Sequence, residues 1–462
     1  MRVLTSREQR FRAEHLNCVR HVTLDPHGPG VLRIHMIPPR ADSPQEPFLL
    51  LLNGAQLVPL NLSWAILLSN FMDQLEQYSG HSEIGPDQWQ QMAAQAVKAT
   101  RKVYPATSAR RLAADLETMI TALVAIARGE EPDADVAVLD LGEYAPYMSA
   151  PHRMDLMVSA MTRDGAWHCN QKCLHCYAAG QPMGETAELS TEEWKKVLDC
   201  LRHANIPQVT FTGGEPTMRP DLAELVEAAQ WFVTRLNTNG RLLTPDLCRQ
   251  LYEASLDSVQ VTLYAADEGV HNQLVGAPGF ADTVQGIRNA VAAGLIVSVN
   301  TPLCSLNRDY AATLRLAHEL GVRYATCSGL IPSGEALGDE SRATRLSHDE
   351  LLAVLQEAVF TARELGMELD FTSPGWLEEP ELREMGLHLI PSCGACLSNM
   401  AITPDGTVVP CQSWLGGVQL GHILTDDWQT IWDSPTCRDI RQKSTAMEHI
   451  CQLHTGNQEG EA

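Results

Sequence analysis

The chain has 462 residues, 44% of them hydrophobic and 20% charged, with a formal net charge of −23. Such a composition belongs to a globular protein of two or three domains, and the acidic balance argues against nucleic acid, whose phosphates need a basic face. The 13 cysteines are an odd number and the charged stretch Met1 to Arg10 lacks the apolar core of a signal peptide, so reduced thiols in the cytoplasm are expected and a disulfide framework is not.

In chain order, Leu32, Ile34 and Met36 alternate with Arg33 and His35, the period of a half-buried strand. A second strand, Phe48 to Leu52, runs into the turn signal Asn53-Gly54. Phe48 to Phe71 is the most apolar region, but Asn53, Gln56, Pro59 and Asn61 interrupt it, so no membrane span is expected. Ser63 reads as the N-cap of a helix whose apolar face is Trp64, Leu67, Leu68, Phe71 and Met72. Two more amphipathic helices follow, from about Pro86 to Tyr104 and from Thr107 to Arg128, the second closing at Gly129. Glu130-Glu131-Pro132-Asp133 reads as a linker, which makes residues 1–150 an α+β accessory domain.

Strand and helix signals then alternate, the pattern of parallel β/α units. Strands are expected at Asp155 to Ala160, Gln208 to Phe211, Val233 to Leu236, Val259 to Leu263, Leu295 to Val299, Val322 to Cys327 and Met367 to Phe371. Capping boxes open helices at Ser190 with Glu193 and at Ser347 with Glu350, and Gly294, Gly321 and Gly366 close helices. Six strand–helix units over residues 151–375 define an α/β fold, a partial (β/α)6 TIM-like barrel. Barrels of this kind place their chemistry at the C-terminal ends of strands. The loop Cys169-x3-Cys173-x2-Cys176-Tyr177, the segment Gly213-Gly214-Glu215, and Asn239, Thr262 and Asn300 all fall there.

Three thiols on one short loop suit a cubane iron–sulfur cluster and leave its fourth iron open, as a catalytic metal site requires. They also suit a zinc knuckle that borrows His168 or His175. With the Gly-Gly-Glu segment after the next strand, the loop resembles the signature of the radical S-adenosylmethionine (radical SAM) enzymes. That resemblance implies that Cys169, Cys173 and Cys176 hold a [4Fe–4S] cluster whose open iron binds S-adenosylmethionine, and that its electron cleaves the cofactor to a 5'-deoxyadenosyl radical. It further implies that Gly213, Gly214 and Glu215 hold the amino group of S-adenosylmethionine. Asn239, Thr262 and Asn300 would contact the rest of that cofactor, and Ile331-Pro332-Ser333-Gly334 would lie against adenine. Relatives often carry a basic residue after that glycine, where this chain has Glu335.

Cysteines gather again at Cys393, Cys396 and Cys411, with Cys437 and Cys451 beyond, in a small Cys-rich C-terminal domain over residues 376–462. Thr403-Pro404-Asp405-Gly406-Thr407 reads as a hairpin turn between the flanking cysteines. The spacing Cys396-x9-Gly406-x4-Cys411 resembles the SPASM or twitch extensions of radical SAM proteins, which bind auxiliary iron–sulfur clusters. The resemblance implies at least one auxiliary cluster on Cys393, Cys396, Cys411 and Cys451, while Cys437, at a helical position where relatives carry an apolar residue, reads as core. A structural zinc ribbon is the alternative for this module.

The expectation for the whole chain is a radical SAM maturase, an oxidoreductase that abstracts hydrogen from a peptide or protein side chain. An external donor of flavodoxin or ferredoxin type would supply electrons, with neither nucleic acid nor membrane as partner. The N-terminal domain loosely resembles peptide-recognition modules that add a peptide strand to a sheet edge. The alternatives are a radical SAM enzyme acting on a tetrapyrrole or other small cofactor precursor, and a zinc-stabilised non-catalytic scaffold. No general acid or base stands out in the sequence.

Overall fold

The computed structural model describes residues 4–24, 32–39, 47–52, 56–76, 85–127, 132–133, 139, 141–387, 389–447 and 449–455. The turn Asn53-Gly54 and the residues Gly129, Glu130 and Glu131 lie outside them. The chain forms two compact units, Met1–Ser149 and Ala150–Ala462.

In the first unit, β1 (Arg20–Leu24), β2 (Leu32–Ile37), β3 (Phe48–Leu52) and β4 (Gln56–Leu60) make an antiparallel sheet in that order. All five residues of β3 are buried, and Phe48, Leu50 and Leu52 join Ile66, Leu67, Phe71, Met92, Leu116, Met119 and Leu123 in one core. The last seven of these come from the helices Leu62–Glu76, Pro86–Val103 and Ala109–Ala127, whose apolar stripes lie at helical spacing. The first of these helices is capped by Asn61 and not by Ser63: Asn61 Oδ1 accepts from the Trp64 N–H at 3.0 Å and from Ser63 Oγ at 2.6 Å. A further helix, Ser6–His15, opens on a Thr5–Glu8 capping box, and Tyr104 donates to Glu8 Oε1 at 2.9 Å. Glu8 is fully buried, so this partner holds one oxygen that water cannot reach.

The second unit is built on seven parallel strands: β5 (Arg153–Ser159), β8 (Gln208–Gly213), β9 (Val233–Thr238), β10 (Ser258–Thr262), β11 (Val297–Pro302), β12 (Tyr324–Ser328) and β13 (Glu368–Phe371). A small hairpin, β6 (Thr162–Arg163) and β7 (Ala166–Trp167), follows the first of these and leads into the cysteine loop. Helices return between strands, so the sheet is an open partial barrel of the α/β class. The helix Thr191–His203 shows why the local sequence folds this way. Ser190 and Glu193 satisfy each other's backbone N–H groups, a cap of about 1 kcal/mol, and Trp194, Val197, Leu198 and Leu201 bury one face.

The C-terminal residues are not separate from this sheet. β14 (Asn399–Ile402) pairs in parallel with β5, and β15 (Thr407–Val409) and β16 (Gly421–His422) extend it to ten strands. The second group of cysteines is thereby anchored to the strand that leads into the first.

Candidate active site and second thiol group

The first thiol loop is held from several sides. Lys172 N donates to Val275 O at 3.0 Å and Leu174 N to Leu274 O at 2.9 Å, while Trp167 Nε1 donates to Gln171 O at 2.9 Å. The end of β9 secures the start of the loop: Asn239 Nδ2 donates to Asn170 Oδ1 at 2.6 Å and Arg241 Nη1 to Asn170 O at 2.7 Å. Gly334 (φ +57°) closes the other side, where a Cβ would come within 2.7 Å of the carbonyl oxygens of Cys176, Tyr177 and Ala179. Glu335 N donates to Cys176 O at 3.0 Å, so the segment after β12 is seated on the loop through its backbone.

Burial pushes the thiols of Cys169, Cys173 and Cys176 up, that of Cys169 to about 12. As thiolates they need a positive centre between them, which clustered iron provides. Of the two histidines that could complete a zinc knuckle, His175 is engaged elsewhere, while His168 Nε2 is buried with no hydrogen-bond partner among the described residues. His175 Nε2 bonds Thr344 Oγ1 at 2.8 Å, with burial lowering its pKa to about 4, and His168 Nε2 lies 4.0 Å from Glu188. Among the described residues no three Cys, His, Asp or Glu side chains converge on a single-ion site. Three thiols on one loop held from both sides are a donor set that fits a cubane cluster.

Glu215 is 1% exposed and both its oxygens are occupied. Oε1 accepts from Thr217 N at 3.0 Å, Thr217 Oγ1 at 2.5 Å and Thr238 Oγ1 at 2.6 Å, and Oε2 accepts from Asn239 N at 2.8 Å. Burial raises its pKa and these bonds oppose the rise. The carboxylate therefore splices the end of β8 to the end of β9. Gly213 (φ +136°) and Gly214 have a comparable duty, since a Cβ on either would meet Ser159 O at 2.2 Å or Ala160 O at 2.7 Å. Thr262 and Asn300 stand side by side in the β10–β11 register, and Asn300 Oδ1 accepts from Thr326 Oγ1 at 2.8 Å.

The second group contains five thiols. Cys396 N donates to Pro410 O at 3.1 Å across the base of the β14–β15 hairpin, which brings Cys396 beside Cys411. Cys451 N is tied to Pro374 O at 3.2 Å, its thiol neighbours that of Cys393, and Ser444 Oγ donates to Cys393 Sγ at 3.7 Å. Cys437 is buried, but its thiol meets that of Cys396, and Arg441 Nη1 donates to it at 3.6 Å while lying over the Trp432 ring. Cys437 is buried core, as expected, with its thiol turned to that of Cys396. The segments that follow the two groups are bridged: Tyr177 and Gln412, each one residue beyond a cysteine, are hydrogen-bonded at 3.4 Å, and further along Gln181 Nε2 donates to Ser413 O at 3.2 Å.

The family model of the radical SAM superfamily matches residues 168–317, and that of SPASM, described as an iron–sulfur cluster-binding domain, matches 393–453. The chain is 30% identical over 315 residues to the AdoMet-dependent heme synthase of Oleidesulfovibrio alaskensis, covering 63% of this chain and 79% of that protein. A Methanosarcina barkeri protein of the same name is 33% identical over 177 residues, which cover 37% of this chain and half of that one. Among solved structures, Streptococcus suis SuiB bound to precursor peptide SuiA superposes with a TM-score of 0.56 at 15% identity, over 86% of this chain and 88% of that one. Native anSMEcpe with bound AdoMet and Cp18Cys peptide gives 0.50 at 16% identity, over 64% and 84%. This chain belongs to the radical SAM superfamily and carries a SPASM-type extension. It is a radical SAM enzyme, and its cofactors are a catalytic [4Fe–4S] cluster, S-adenosylmethionine and auxiliary iron–sulfur. The zinc-scaffold alternative falls with this result.

When bound, the cluster supplies the electron that cleaves S-adenosylmethionine; the rest is positioning by this chain. Asn170, Asn239 and Arg241 hold the thiol loop against β9. Glu215 fixes the rim on which the cofactor would rest, and Gly334 shuts the loop from the β12 side.

Proposed function

We propose that this enzyme is a peptide maturase: Cys169, Cys173 and Cys176 hold the catalytic cluster, and hydrogen is abstracted from a side chain of a peptide that the first unit recognises. The observation that carries this reading is the extent of the SuiB likeness. Its 86% coverage exceeds the two thirds of the chain that Ala150–Ala462 make up, so it reaches into the first unit, where the antiparallel sheet offers edge strands for peptide addition. Cys393, Cys396, Cys411 and Cys451 are assigned to the auxiliary cluster, and Gly213, Gly214, Glu215, Asn239, Thr262 and Asn300 to the S-adenosylmethionine rim. A small flavodoxin or ferredoxin would deliver electrons in a reducing cytoplasm. No helix among the described residues is long and apolar enough to cross a membrane.

The 30% identity to heme synthases favours a second reading, action on a carboxylate-bearing tetrapyrrole. One experiment separates the two. The reconstituted enzyme is incubated without oxygen with S-adenosylmethionine, dithionite and either a peptide library or iron coproporphyrin, and 5'-deoxyadenosine and substrate mass are followed. Peptide-dependent cofactor cleavage with a peptide mass change, or deuterium uptake from D2O, supports the maturase. Turnover of the porphyrin alone overturns it.

A further inference from the structure

One buried phenol beside the thiol loop has a hydroxyl without a partner. Tyr264 lies two residues beyond the end of β10, at the C-terminal end of the barrel strands, and is 4% exposed. Its backbone is tied on both sides: its N–H donates to His271 Nδ1 at 3.3 Å, and Asn307 Nδ2 donates to its carbonyl oxygen at 2.8 Å. Asn307 Oδ1 accepts from Cys304 N at 2.8 Å, so one side chain fixes Tyr264 and Cys304 together. The phenol belongs to a buried cluster with Leu274, Val275, Cys304 and Leu330, and Cys173 and Leu174 pack against that cluster.

The thiol loop is fastened to the same residues. Val275 O and Leu274 O accept from the backbones of Lys172 and Leu174, the two neighbours of Cys173, so that thiol and the phenol share one support. The His175 ring stands 6.3 Å from the Tyr264 ring, centroid to centroid. The ionisable side chains that act on the Tyr264 hydroxyl are the thiols of Cys173, Cys176 and Cys304. That hydroxyl makes no hydrogen bond among the described residues, whereas the buried Tyr310 donates to Thr326 O at 3.3 Å. A hydroxyl in the protein interior without an acceptor is costly, and an acceptor that arrives with a cofactor removes the cost.

We propose that Tyr264 donates its hydroxyl hydrogen to a sulfur of the cluster held by Cys169, Cys173 and Cys176, and thereby sets that cluster's reduction potential. A phenol is protonated at neutral pH and offers one donor, while a cubane presents sulfide and thiolate sulfurs as acceptors. A donor to these sulfurs favours the reduced, more negative cluster and so raises the potential. Ring packing and the two backbone bonds hold the phenol in place, which keeps its hydroxyl on the side of the thiols. The inference rests on the reading of Cys169, Cys173 and Cys176 as ligands of the catalytic cluster, and it holds for a peptide and for a tetrapyrrole substrate alike.

The test is a redox titration of the full-length reconstituted enzyme, comparing wild type, Tyr264→Phe and Tyr310→Phe through the S-adenosylmethionine-sensitive electron paramagnetic resonance signal. At a potential near the wild-type midpoint, Tyr264→Phe should lower the ratio of reduced to oxidised catalytic cluster about threefold, which is about 28 mV at about 59 mV per tenfold for one electron. The SPASM signal of the same samples should keep its wild-type ratio, as should the catalytic signal of Tyr310→Phe, which loses only the bond to Thr326. Electron–nuclear double resonance of the reduced wild-type enzyme, before and after exchange into D2O, should show an exchangeable proton coupling that Tyr264→Phe lacks. An unchanged ratio in Tyr264→Phe with full iron, or an equal shift in Tyr310→Phe, overturns the inference. Iron lost from Tyr264→Phe at an unchanged melting temperature supports the contact. Iron lost together with stability makes Tyr264 a packing residue and overturns it. A wild-type enzyme without any S-adenosylmethionine-sensitive signal overturns the cluster assignment itself, and the inference with it.

Discussion

Replacing Glu215 by Gln would put an NH2 group where four donors already point. Oε1 takes three of them and Oε2 takes the backbone N–H of Asn239, so either orientation of the amide faces a donor. An unmet buried donor costs about 1–3 kcal/mol, which lowers the melting temperature by several degrees in a unit of this size. The displaced Asn239 loosens Asn170 as well, so the response of the cluster to S-adenosylmethionine should weaken beyond what stability explains. Thermal melting together with cofactor titration checks this, and an unaltered melting point with unaltered response would refute the splice. The importance of Glu215 was legible in its Gly-Gly-Glu setting. Its use was not, because Thr238 and Asn239 lie 23 and 24 residues further on and nothing local links them to it. The nearness of Cys437 to Cys396 was not legible for the same reason: Cys437 occupies the buried face of its helix, as its reading as core expected, and Cys396 comes from another element.

At the scale of elements, two left-handed glycines make a clean contrast. Gly334 (φ +57°) faces three carbonyl oxygens of the thiol loop, whereas Gly366 (φ +64°) has nothing within 4 Å of where a Cβ would stand. Gly366→Ala should cost only the backbone strain, about 1 kcal/mol, and leave the iron content unchanged. Gly334→Ala must also push the Cys176–Ala179 backbone aside, so it should lower the catalytic cluster's iron and signal while the SPASM signal persists. Equal iron in the two variants would show that the β12 loop does not brace the cluster. The capping boxes at Ser190 and Ser347 and the closing Gly366 were readable because they are local hydrogen-bond chemistry. The Thr5–Glu8 box is of the same kind, but its helix buries only Glu8 and so lacks an apolar period to draw attention to it. β1 and β4 passed unread because they are short edge strands, and Pro59 weakens the pattern of the second.

For the molecule as a whole, the sheet joins two thiol groups that the sequence presents more than two hundred residues apart. β5 delivers the loop with Cys169, Cys173 and Cys176, and its neighbour β14 delivers the hairpin whose base holds Cys396 and Cys411. The alternation of strands and helices made the barrel legible, while the pairing of β14 with β5 has no local signature. Each group has its own thiols and its own supports, so one cluster should survive the loss of the other. Changing Cys169, Cys173 and Cys176 together to Ala should remove about four irons per chain and the S-adenosylmethionine-sensitive signal of the dithionite-reduced enzyme, leaving a second, insensitive signal. Cys411→Ala should do the reverse, because Cys411 lies electrostatically close to Cys393, Cys396 and Cys451. Iron and sulfide analysis beside electron paramagnetic resonance of the two variants checks both halves. Loss of both signals in either variant would mean that the Tyr177–Gln412 and Gln181–Ser413 bridges make the two centres one cooperative structure. Electron transfer between them would then have to be studied in the intact enzyme, because neither centre could be removed alone.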